Sequence, residues 1–273
     1  MENKILVLGA TGKTGSRVAK KLQQMNILVR AGSRKGNPSF DWRKPDNWAE
    51  VLNNVQKVYI TYQPDFVVPG SDEKIQLFVD TAKQSGVQKL VLLSGRNEKE
   101  AEVCEDIVIT SGLSYTIVRC SWFMQNFSEY MFLPSIMEGQ VINPKINTLE
   151  PFVDVDDIAE VVVASLTDDK HNEKIYELTG PELLSFEAAI AMISESINRP
   201  IGYQEVDMEE YKKILREAQT PDDIIWLLEF LFTEVLDGRN ESLTGGVKEV
   251  LGREPTSFKE YVAKTKKTGV WNI

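Results

Sequence analysis

The sequence predicts an α/β fold in which a doubly wound parallel sheet is followed by a smaller, mainly helical C-terminal lobe. Short apolar runs alternate with amphipathic stretches through the first 120 residues, as a parallel sheet with helical crossovers requires. Glycines follow the first apolar run at spacings of three and three. The alternation stops after Ser121, where aromatic residues crowd together. A chain of 273 residues with 42% apolar residues is long enough to bury a sizeable core.

Five strand-and-helix units account for the first part of the chain. Apolar and β-branched runs predict strands at Lys4–Leu8, Ile27–Ala31, Val58–Thr61, Lys89–Leu93 and Tyr115–Arg119. Amphipathic stretches predict helices at 13–25, 47–55, 75–85 and 98–111. Asn47 is expected to cap the second helix, while Gly86 and Gly112 are expected to end the third and fourth.

In the second part of the chain, the alternation of predicted strands and helices is less regular. We expect it to return to the sheet at Phe152–Val163 and again at Lys174–Leu178. From Phe186 to Tyr261 the pattern is mainly helical with an acidic surface. The prediction is therefore one domain over 1–273, with a core of about 1–121 plus 152–180 and a substrate lobe of about 122–151 and 181–273.

The segment Gly9-Ala10-Thr11-Gly12-Lys13-Thr14-Gly15 predicts a dinucleotide site of the Rossmann type. One glycine supplies the tight turn, a second lets phosphate approach the backbone, and a third lets helix and strand pack closely. The first-turn N–H groups and the positive end of the helix dipole then face the pyrophosphate. The cofactor-binding residues predicted in this turn are Gly9, Thr11, Gly12, Lys13, Thr14 and Gly15.

Two other interpretations of this turn compete with dinucleotide binding. Gly12-Lys13-Thr14 imitates the end of a P-loop, but that motif needs a glycine where this chain has Val7. A glycine turn can also serve packing alone. The position directly after a buried strand and at the head of a helix favours dinucleotide binding over packing alone.

The segment after the second predicted strand favours NADP(H) over NAD(H). An acidic residue there would hydrogen-bond the ribose 2′-hydroxyl of NAD, but the chain has Ser33 and Arg34. A guanidinium can grip a 2′-phosphate with two hydrogen bonds. The alternative is a solvated loop that carries Arg34 and Lys35. Asp41 fits either an adenine-contacting carboxylate or a simple turn residue.

Composition excludes several classes of function. A net charge of −10 offers none of the basic surface that supplies most nucleic-acid affinity. No apolar run approaches the roughly 18 residues of a membrane span, and no basic leader or apolar signal core precedes Lys4, so we expect a cytoplasmic protein. Cys104 and Cys120 form no CxxC, which predicts two buried thiols and no metal site. The single histidine, His171, is predicted to lie in an exposed turn.

Five segments carry a resemblance to a known family. They are the Gly9–Gly15 turn, Ser111–Arg119 with Phe123–Phe127, Phe152–Ala159, Leu178–Pro181, and Gly252–Pro255 with Ser257-Phe258. Together they resemble the NmrA-like group of atypical short-chain dehydrogenases/reductases across the full chain. Ser33-Arg34 with Phe40-Asp41-Trp42 is similar to the clavine-type dehydrogenases of ergot-alkaloid pathways. Triphenylmethane, quinone and azo reductases are neighbouring members.

The resemblance implies positions for further site residues at the carboxyl ends of the predicted strands. Those implied to lie along the cofactor are Tyr62, Gln63, Pro64, Ser94, Gly95 and Cys120. Those implied to face a small-molecule substrate are Ser121, Trp122, Phe123 and Asn126.

The chain lacks the proton-donating residue pair that ordinary short-chain dehydrogenases use. None of its eight tyrosines has a lysine four residues further on, so the usual Tyr-x-x-x-Lys proton donor is missing. The resemblance then implies an NADPH-dependent reductase that delivers hydride, without a Tyr-x-x-x-Lys acid, to a small aromatic or cationic acceptor such as an iminium ion, dye, quinone or azo compound; an iminium or triarylmethyl cation needs only the hydride and no proton. A regulator that senses NAD(P) without turnover is the alternative. A sugar-nucleotide epimerase would need the missing tyrosine. The sequence leaves open whether the protein is a monomer or a homodimer.

Overall fold

The computed structural model describes residues 4–272. Residues 1–3, on which the expectation of no leader rests, lie outside this range. The strands are β1 (Lys4–Leu8), β2 (Leu28–Gly32), β3 (Lys57–Ile60), β4 (Lys89–Gly95), β5 (Ser114–Cys120), β6 (Gln140–Pro144), β7 (Lys174–Leu178) and β8 (Gly202–Val206).

The helices follow the strands in alternation through the first half and dominate the second. They are α1 (Lys13–Gln24), α2 (Trp48–Leu52), α3 (Ser71–Gln84), α4 (Lys99–Thr110), α5 (Leu133–Glu138), α6 (Val155–Thr167), α7 (Phe186–Ile197), α8 (Met208–Glu217), α9 (Asp222–Phe230), α10 (Gly246–Leu251) and α11 (Phe258–Lys266).

Six parallel strands form the main sheet in the order β2-β1-β3-β4-β5-β7, which confirms the predicted doubly wound α/β fold. Each of the five predicted strands is present to within a residue or two. The alternate residues of each strand face opposite sides of the sheet. One side carries the apolar core that α2, α3 and α4 cover, with Trp48 and Phe78 as its largest helix-borne side chains.

The structure divides into two compact units. The first comprises 1–120, 155–178 and 245–253, and the second comprises 121–154, 179–244 and 254–273. The segment 245–253, which sequence analysis assigned to the substrate lobe, therefore lies in the first unit. The second unit holds the short parallel pair β6–β8 and an aromatic core centred on Phe127, Phe152, Phe186 and Phe258.

The expectation that Phe152–Val163 returns to the sheet as a strand is wrong, because α6 begins at Val155. Its β-branched residues favour a strand, but Asp156 and Asp157 stand in the first turn, where carboxylates suit the helix dipole. Arg17 of α1 donates to Asp156 at 2.8 Å, and Ile158 is fully buried. Packing against α1 and the sheet outweighs the strand propensity. The second predicted return, Lys174–Leu178, is confirmed as β7.

Two smaller expectations are also corrected. Asn47 does precede α2, but its side chain donates to the Ser39 carbonyl at 2.6 Å and caps nothing. His171 is 3% exposed rather than in an exposed turn. Its Nδ1 lies 2.8 Å from the Tyr176 hydroxyl, and its carbonyl accepts from Thr116 at 2.6 Å. These bonds satisfy Nδ1 and the carbonyl, whereas the buried Nε2 has no hydrogen-bond partner among residues 4–272.

No helix within 4–272 combines the length and the apolarity that a membrane crossing requires.

Candidate functional site

The glycine turn has the geometry of a phosphate cradle. Gly9 has φ +62°, and the Gly12 N–H donates to the Gly9 carbonyl at 2.8 Å, which closes the turn. A Cβ on Gly15 would lie 2.3 Å from that same carbonyl oxygen. Gly9 therefore supplies the left-handed turn and Gly15 lets helix α1 approach strand β1, as the spacing predicts.

The first turn of α1 leaves backbone donors directed outward. The earliest helical bond runs from the Ser16 N–H to the Gly12 carbonyl at 3.1 Å, so the preceding N–H groups have no helical acceptor. Gly12 gives no side-chain cap, and no acidic residue stands in the first turn. Thr11 is exposed, whereas Thr14 is buried. The turn thus suits an anion, because the helix dipole and the N–H groups act together.

The loop after β2 carries an exposed Arg34. Among residues 4–272, no acidic side chain forms an ion pair with it. Asp41 instead forms an ion pair with the guanidinium of Arg43. The hydrogen bond from Arg43 is the main reason the pKa of Asp41 falls to about 2, and the charge of Arg34 makes a smaller contribution. Ser33 lies in the same turn and accepts from the Phe40 N–H at 2.9 Å. The structure therefore brings Ser33, Arg34 and Asp41 into one loop.

The carboxyl end of β3 lies against the glycine turn. A Cβ on Gly12 would be 3.8 Å from Nε2 of Gln63, and one on Gly9 would be 2.5 Å from the Thr61 hydroxyl. Tyr62 is buried, and its hydroxyl accepts from Lys74 at 3.2 Å. This tyrosine–lysine pair comes from separate elements, so no sequence spacing could reveal it.

The carboxyl ends of β4, β5 and β7 carry a buried polar cluster. Ser94 is 5% exposed and donates to Glu105 of α4 at 2.5 Å. Arg119 donates to the same carboxyl group through Nε and Nη2, the latter at 2.6 Å. Arg96 and Arg119 both reach Glu177 at 3.4 Å. Sequence analysis implied a cofactor role for Ser94 and Gly95 but missed Glu105, Arg96 and Glu177.

Cys120 ends β5 as a buried thiol, as predicted. Burial raises its pKa, although the nearby Arg96 charge acts in the opposite direction, so the thiol stays protonated at neutral pH. Tyr59 of β3 is fully buried near Cys120 and Thr14, and among residues 4–272 no group meets hydrogen-bond geometry with its hydroxyl. Cys120 can therefore line a site but does not act as a thiolate there.

The aromatic residues after Ser121 divide into core and surface within the second unit. Phe127 and Phe132 are buried and stack at 5.1 Å, whereas Tyr130 is 84% exposed. Trp122 is half-buried, with its ring 5.5 Å from Phe186 at nearly a right angle. Phe123 and Asn126 are also half-buried, and Ser121 is buried. Of the aromatic residues predicted to face the substrate, Trp122 and Phe123 are both half-buried and so keep part of their surface accessible.

Two buried acidic side chains stand beside this aromatic segment in the second unit. Glu150 is 1% exposed and accepts from the Trp122 N–H at 3.1 Å. Asp154 is 1% exposed and accepts from the Gln125 amide at 2.7 Å. Both carboxyl groups lie close to residues that the sequence assigned to the substrate.

A cavity of about 330 Å³ lies elsewhere, at the amino ends of β1, β2 and β3. Lys4, Asn26, Gln56 and Leu166 are among its lining residues, and none of the predicted site residues is. Lys57 also lines it and donates to the Leu166 carbonyl at 2.8 Å. Parallel α/β sheets bind ligands at the other, carboxyl end, so the glycine turn remains the stronger candidate. Residues 4–272 contain no group of three metal-ligating side chains.

Known proteins match the chain over nearly its full length. The model of the NmrA-like family matches residues 1–262. Festuclavine synthase II of Penicillium roqueforti is 31% identical, covering 94% of this chain and 96% of its own. Prestalk A differentiation protein A of Dictyostelium discoideum is 28% identical, covering 96% and 92%. An NADPH-dependent quinone oxidoreductase of Escherichia coli, solved with NADPH, superposes with a TM-score of 0.80 at 19% identity, covering 95% and 99%.

Proposed function

Because this chain belongs to the NmrA-like family, we propose that it is an NADPH-dependent reductase that delivers hydride to a small aromatic or cationic acceptor. The observation that carries the proposal is the closed turn Gly9–Gly15, whose crowded glycines and outward first-turn donors fit a pyrophosphate. The names of two relatives, a festuclavine synthase and an NADPH-dependent quinone oxidoreductase, support an oxidoreductase of this kind.

The residues of the first unit would bind the cofactor by its phosphates and its 2′-phosphate. The backbone between Gly12 and Gly15 would hold the pyrophosphate, and Arg34 would hold the 2′-phosphate with its guanidinium. Tyr62, Gln63, Ser94, Gly95 and Cys120 would line the rest. When bound, NADPH supplies a hydride from its reduced nicotinamide.

The acceptor would be recognised by flat aromatic surface and negative charge. Trp122 and Phe123 offer ring faces, and Glu150 and Asp154 add buried acidic groups in the same unit. An aromatic cation suits both features, since it stacks on rings and is attracted to carboxylates. Ser121 and Asn126 would orient it. We therefore place iminium ions and triarylmethyl cations first, ahead of neutral quinones and azo compounds.

A cationic acceptor also explains why a Tyr-x-x-x-Lys pair is dispensable. An iminium carbon that accepts hydride becomes a neutral amine without taking up a proton. Binding, orientation and exclusion of water are then the main tasks of the protein. The rate of hydride transfer to such an acceptor should stay flat between about pH 6 and 9, because no acid takes part.

The decisive experiment is a panel assay of NADPH oxidation. It uses iminium compounds, triarylmethane dyes, quinones and azo dyes, with product identified in each case. We expect turnover with at least one cationic acceptor. Equal affinity for oxidised and reduced cofactor, with no turnover across the panel, would refute the enzyme and favour a cofactor-sensing regulator. The name of the Dictyostelium relative, a differentiation protein, is the observation that keeps this second candidate.

Cofactor choice is tested at Arg34. Arg34→Ala should weaken NADPH binding by about 10-fold or more, since it removes a charge-assisted contact to phosphate, and should leave NADH binding within about twofold. Lys44→Ala removes another exposed cation from the same segment and serves as the control. Calorimetric titration of both cofactors measures the effect. An equal loss for NADH and NADPH would remove the 2′-phosphate role.

A further inference from the structure

Glu105 stands at the centre of the polar cluster at the carboxyl end of the sheet. Its side chain is only 1% exposed. Arg119 Nε lies 3.0 Å from both carboxylate oxygens, and Nη2 lies 2.6 Å from one of them. The Ser94 hydroxyl donates to the other oxygen at 2.5 Å. A single helix residue therefore fixes side chains from two neighbouring strands.

The strand register explains why these groups meet. Ser94 pairs with Arg119 across β4 and β5, and Arg119 pairs with Glu177 across β5 and β7. The three side chains form one row on the sheet face that α4 covers. Hydrogen bonding to Glu105 raises the pKa of Arg119, which stays charged. The planar fork of arginine suits this two-point contact and a lysine could not reproduce it.

The cluster also decides what Ser94 can offer to a ligand. A serine hydroxyl has one proton and two lone pairs. Because the proton is directed to Glu105, the oxygen of Ser94 is left as an acceptor with a fixed orientation. Any group that binds against this oxygen must be a donor.

Stability alone is a poor reason for this arrangement. A buried ion pair loses much of its Coulomb gain to desolvation, and apolar residues of similar size often serve stability as well. Precise orientation of polar groups at a reacting centre is a better use of such a network, since misplacement by about 1 Å can slow a reaction by about 100-fold.

We propose that Glu105 is a positioning residue for hydride transfer, which acts through Arg119 and Ser94 to hold the carboxyl end of β4 against the cofactor. This inference rests on the proposed function, because it takes Ser94 and Gly95 as cofactor-lining residues. Glu105 itself contacts neither cofactor nor acceptor in this scheme. It orients Arg119 and Ser94, and Ser94 lines the cofactor site.

The test compares Glu105→Gln with Asp157→Asn. Glu105→Gln keeps the shape and removes the charge that orients the fork. Asp157 is the matched control, because it is also 1% exposed and accepts from Arg253 at 2.7 Å within the same unit. NADPH affinity is measured by calorimetry, and the hydride step by single turnover with 4-deuterated NADPH and an acceptor that the wild type reduces.

We expect Glu105→Gln to weaken NADPH binding about fivefold and to slow the hydride step about tenfold with a larger isotope effect. Arg119→Lys should act in the same direction, since it keeps the charge but loses the fork. Asp157→Asn should change affinity and rate by less than about twofold, whatever it does to the melting temperature. A loss of thermal stability in Glu105→Gln with unchanged affinity and isotope effect would overturn the proposal.

Other outcomes are also informative. If Glu105→Gln does not fold, Ser94→Ala is used instead, and an unchanged isotope effect there overturns the proposal. If the wild type binds NADPH but reduces no acceptor, the proposed function and the role of Glu105 in hydride transfer both fail, while the affinity comparison still tests whether Glu105 holds β4 against the cofactor. If the wild type does not bind NADPH, both fail.

Discussion

The two ends of the main sheet treat buried charge in opposite ways. At the carboxyl end, Glu105 meets the guanidinium of Arg119 at 2.6 Å. At the amino end, the ammonium of Lys89, 2% exposed, has one hydrogen bond within residues 4–272, to the Asp168 carbonyl at 3.4 Å. Burial is the main reason the pKa of Lys89 falls to about 8; the charge of Lys57 acts in the same direction, and the charges of Asp169 and Asp168 act in the opposite direction. At the carboxyl end, contact between opposite charges holds the side chains in place. At the amino end, the buried charge of Lys89 lowers the stability of the fold.

His171, also at the amino end, is a second buried group whose charged form is disfavoured. Burial lowers the pKa of His171, and the charge of Lys170 contributes in the same direction. Because the folded pKa lies below the unfolded one, the folded state binds fewer protons, and this histidine lowers stability as pH falls through about 6.5. Polar groups at the amino end therefore make stability depend on pH, whereas those at the carboxyl end lie in the candidate site.

The largest effect is expected at the glycine turn. Gly15→Ala would bring a Cβ within 2.3 Å of the Gly9 carbonyl, so strand and helix must separate. We expect a loss of about 2–3 kcal/mol in unfolding free energy and at least about a 30-fold loss of NADPH affinity. Chemical denaturation and calorimetry measure the two quantities.

Gly245→Ala is the matched control, because nothing lies within 4 Å of its added Cβ and its φ is −94°. It should change stability by less than about 1 kcal/mol. An NADPH affinity in Gly15→Ala equal to that of the wild type would show that cofactor binding does not need the close approach of α1 and β1. The contrast between the two ends of the sheet would then fail at the carboxyl end.

A smaller effect of opposite sign is expected at the amino end. Lys89→Met should raise the unfolding free energy at pH 7 by about 1–2 kcal/mol, since it removes a poorly compensated buried charge. The folded pKa of about 8 lies below the ordinary value of 10.5, so the wild type should recover stability relative to the variant as pH rises from about 8 to about 10.5. Urea unfolding at several pH values measures the difference.

The exposed Lys20→Met provides the reference for a surface lysine. It should leave stability within about 0.5 kcal/mol at each pH. A Lys89→Met variant less stable than the wild type at pH 7 would show that the carbonyl contacts compensate the ammonium after all, and the two ends would then be alike.

The smallest effect is expected at Tyr59, in β3 between the two ends. Its hydroxyl is buried without a partner of acceptable geometry, so Tyr59→Phe should raise the unfolding free energy by about 1 kcal/mol. Tyr176→Phe is the control, because that hydroxyl contacts His171 at 2.8 Å and its loss should destabilise. A destabilised Tyr59→Phe with weaker NADPH binding would instead show that the hydroxyl supports Thr14 in the glycine turn.

Much of the fold could be predicted because strands and glycine turns are encoded locally. The run Lys4–Leu8 has the composition of a buried strand, and it is one. The prediction for Phe152–Val163 is wrong because the β-branched residues there favour a strand, while packing on α1 and the first-turn carboxylates make the chain helical from Val155. His171 was misassigned because a polar residue in a polar segment gives no sign of the tyrosine that buries it.

The candidate site divides in the same way. The sequence could predict the turn through Gly9 and Gly15 because the positive φ of Gly9 and the close approach at Gly15 are set within a few consecutive residues. Glu105 could not be identified, since its partners on β4 and β5 come next to it only through the strand register. The assignments of Trp122, Phe123 and the other substrate residues stay predictions.

The sequence by itself determined where the first five strands lie along the chain and the turn that precedes α1, because hydrophobic pattern and glycine spacing act over short stretches of chain. Only the tertiary structure decided which charges are compensated. Ser94, Arg119 and Glu177 come from three strands and Glu105 from a helix, and they meet because parallel pairing fixes their relative positions. Contacts of this kind depend on distances in space that no spacing along the chain records.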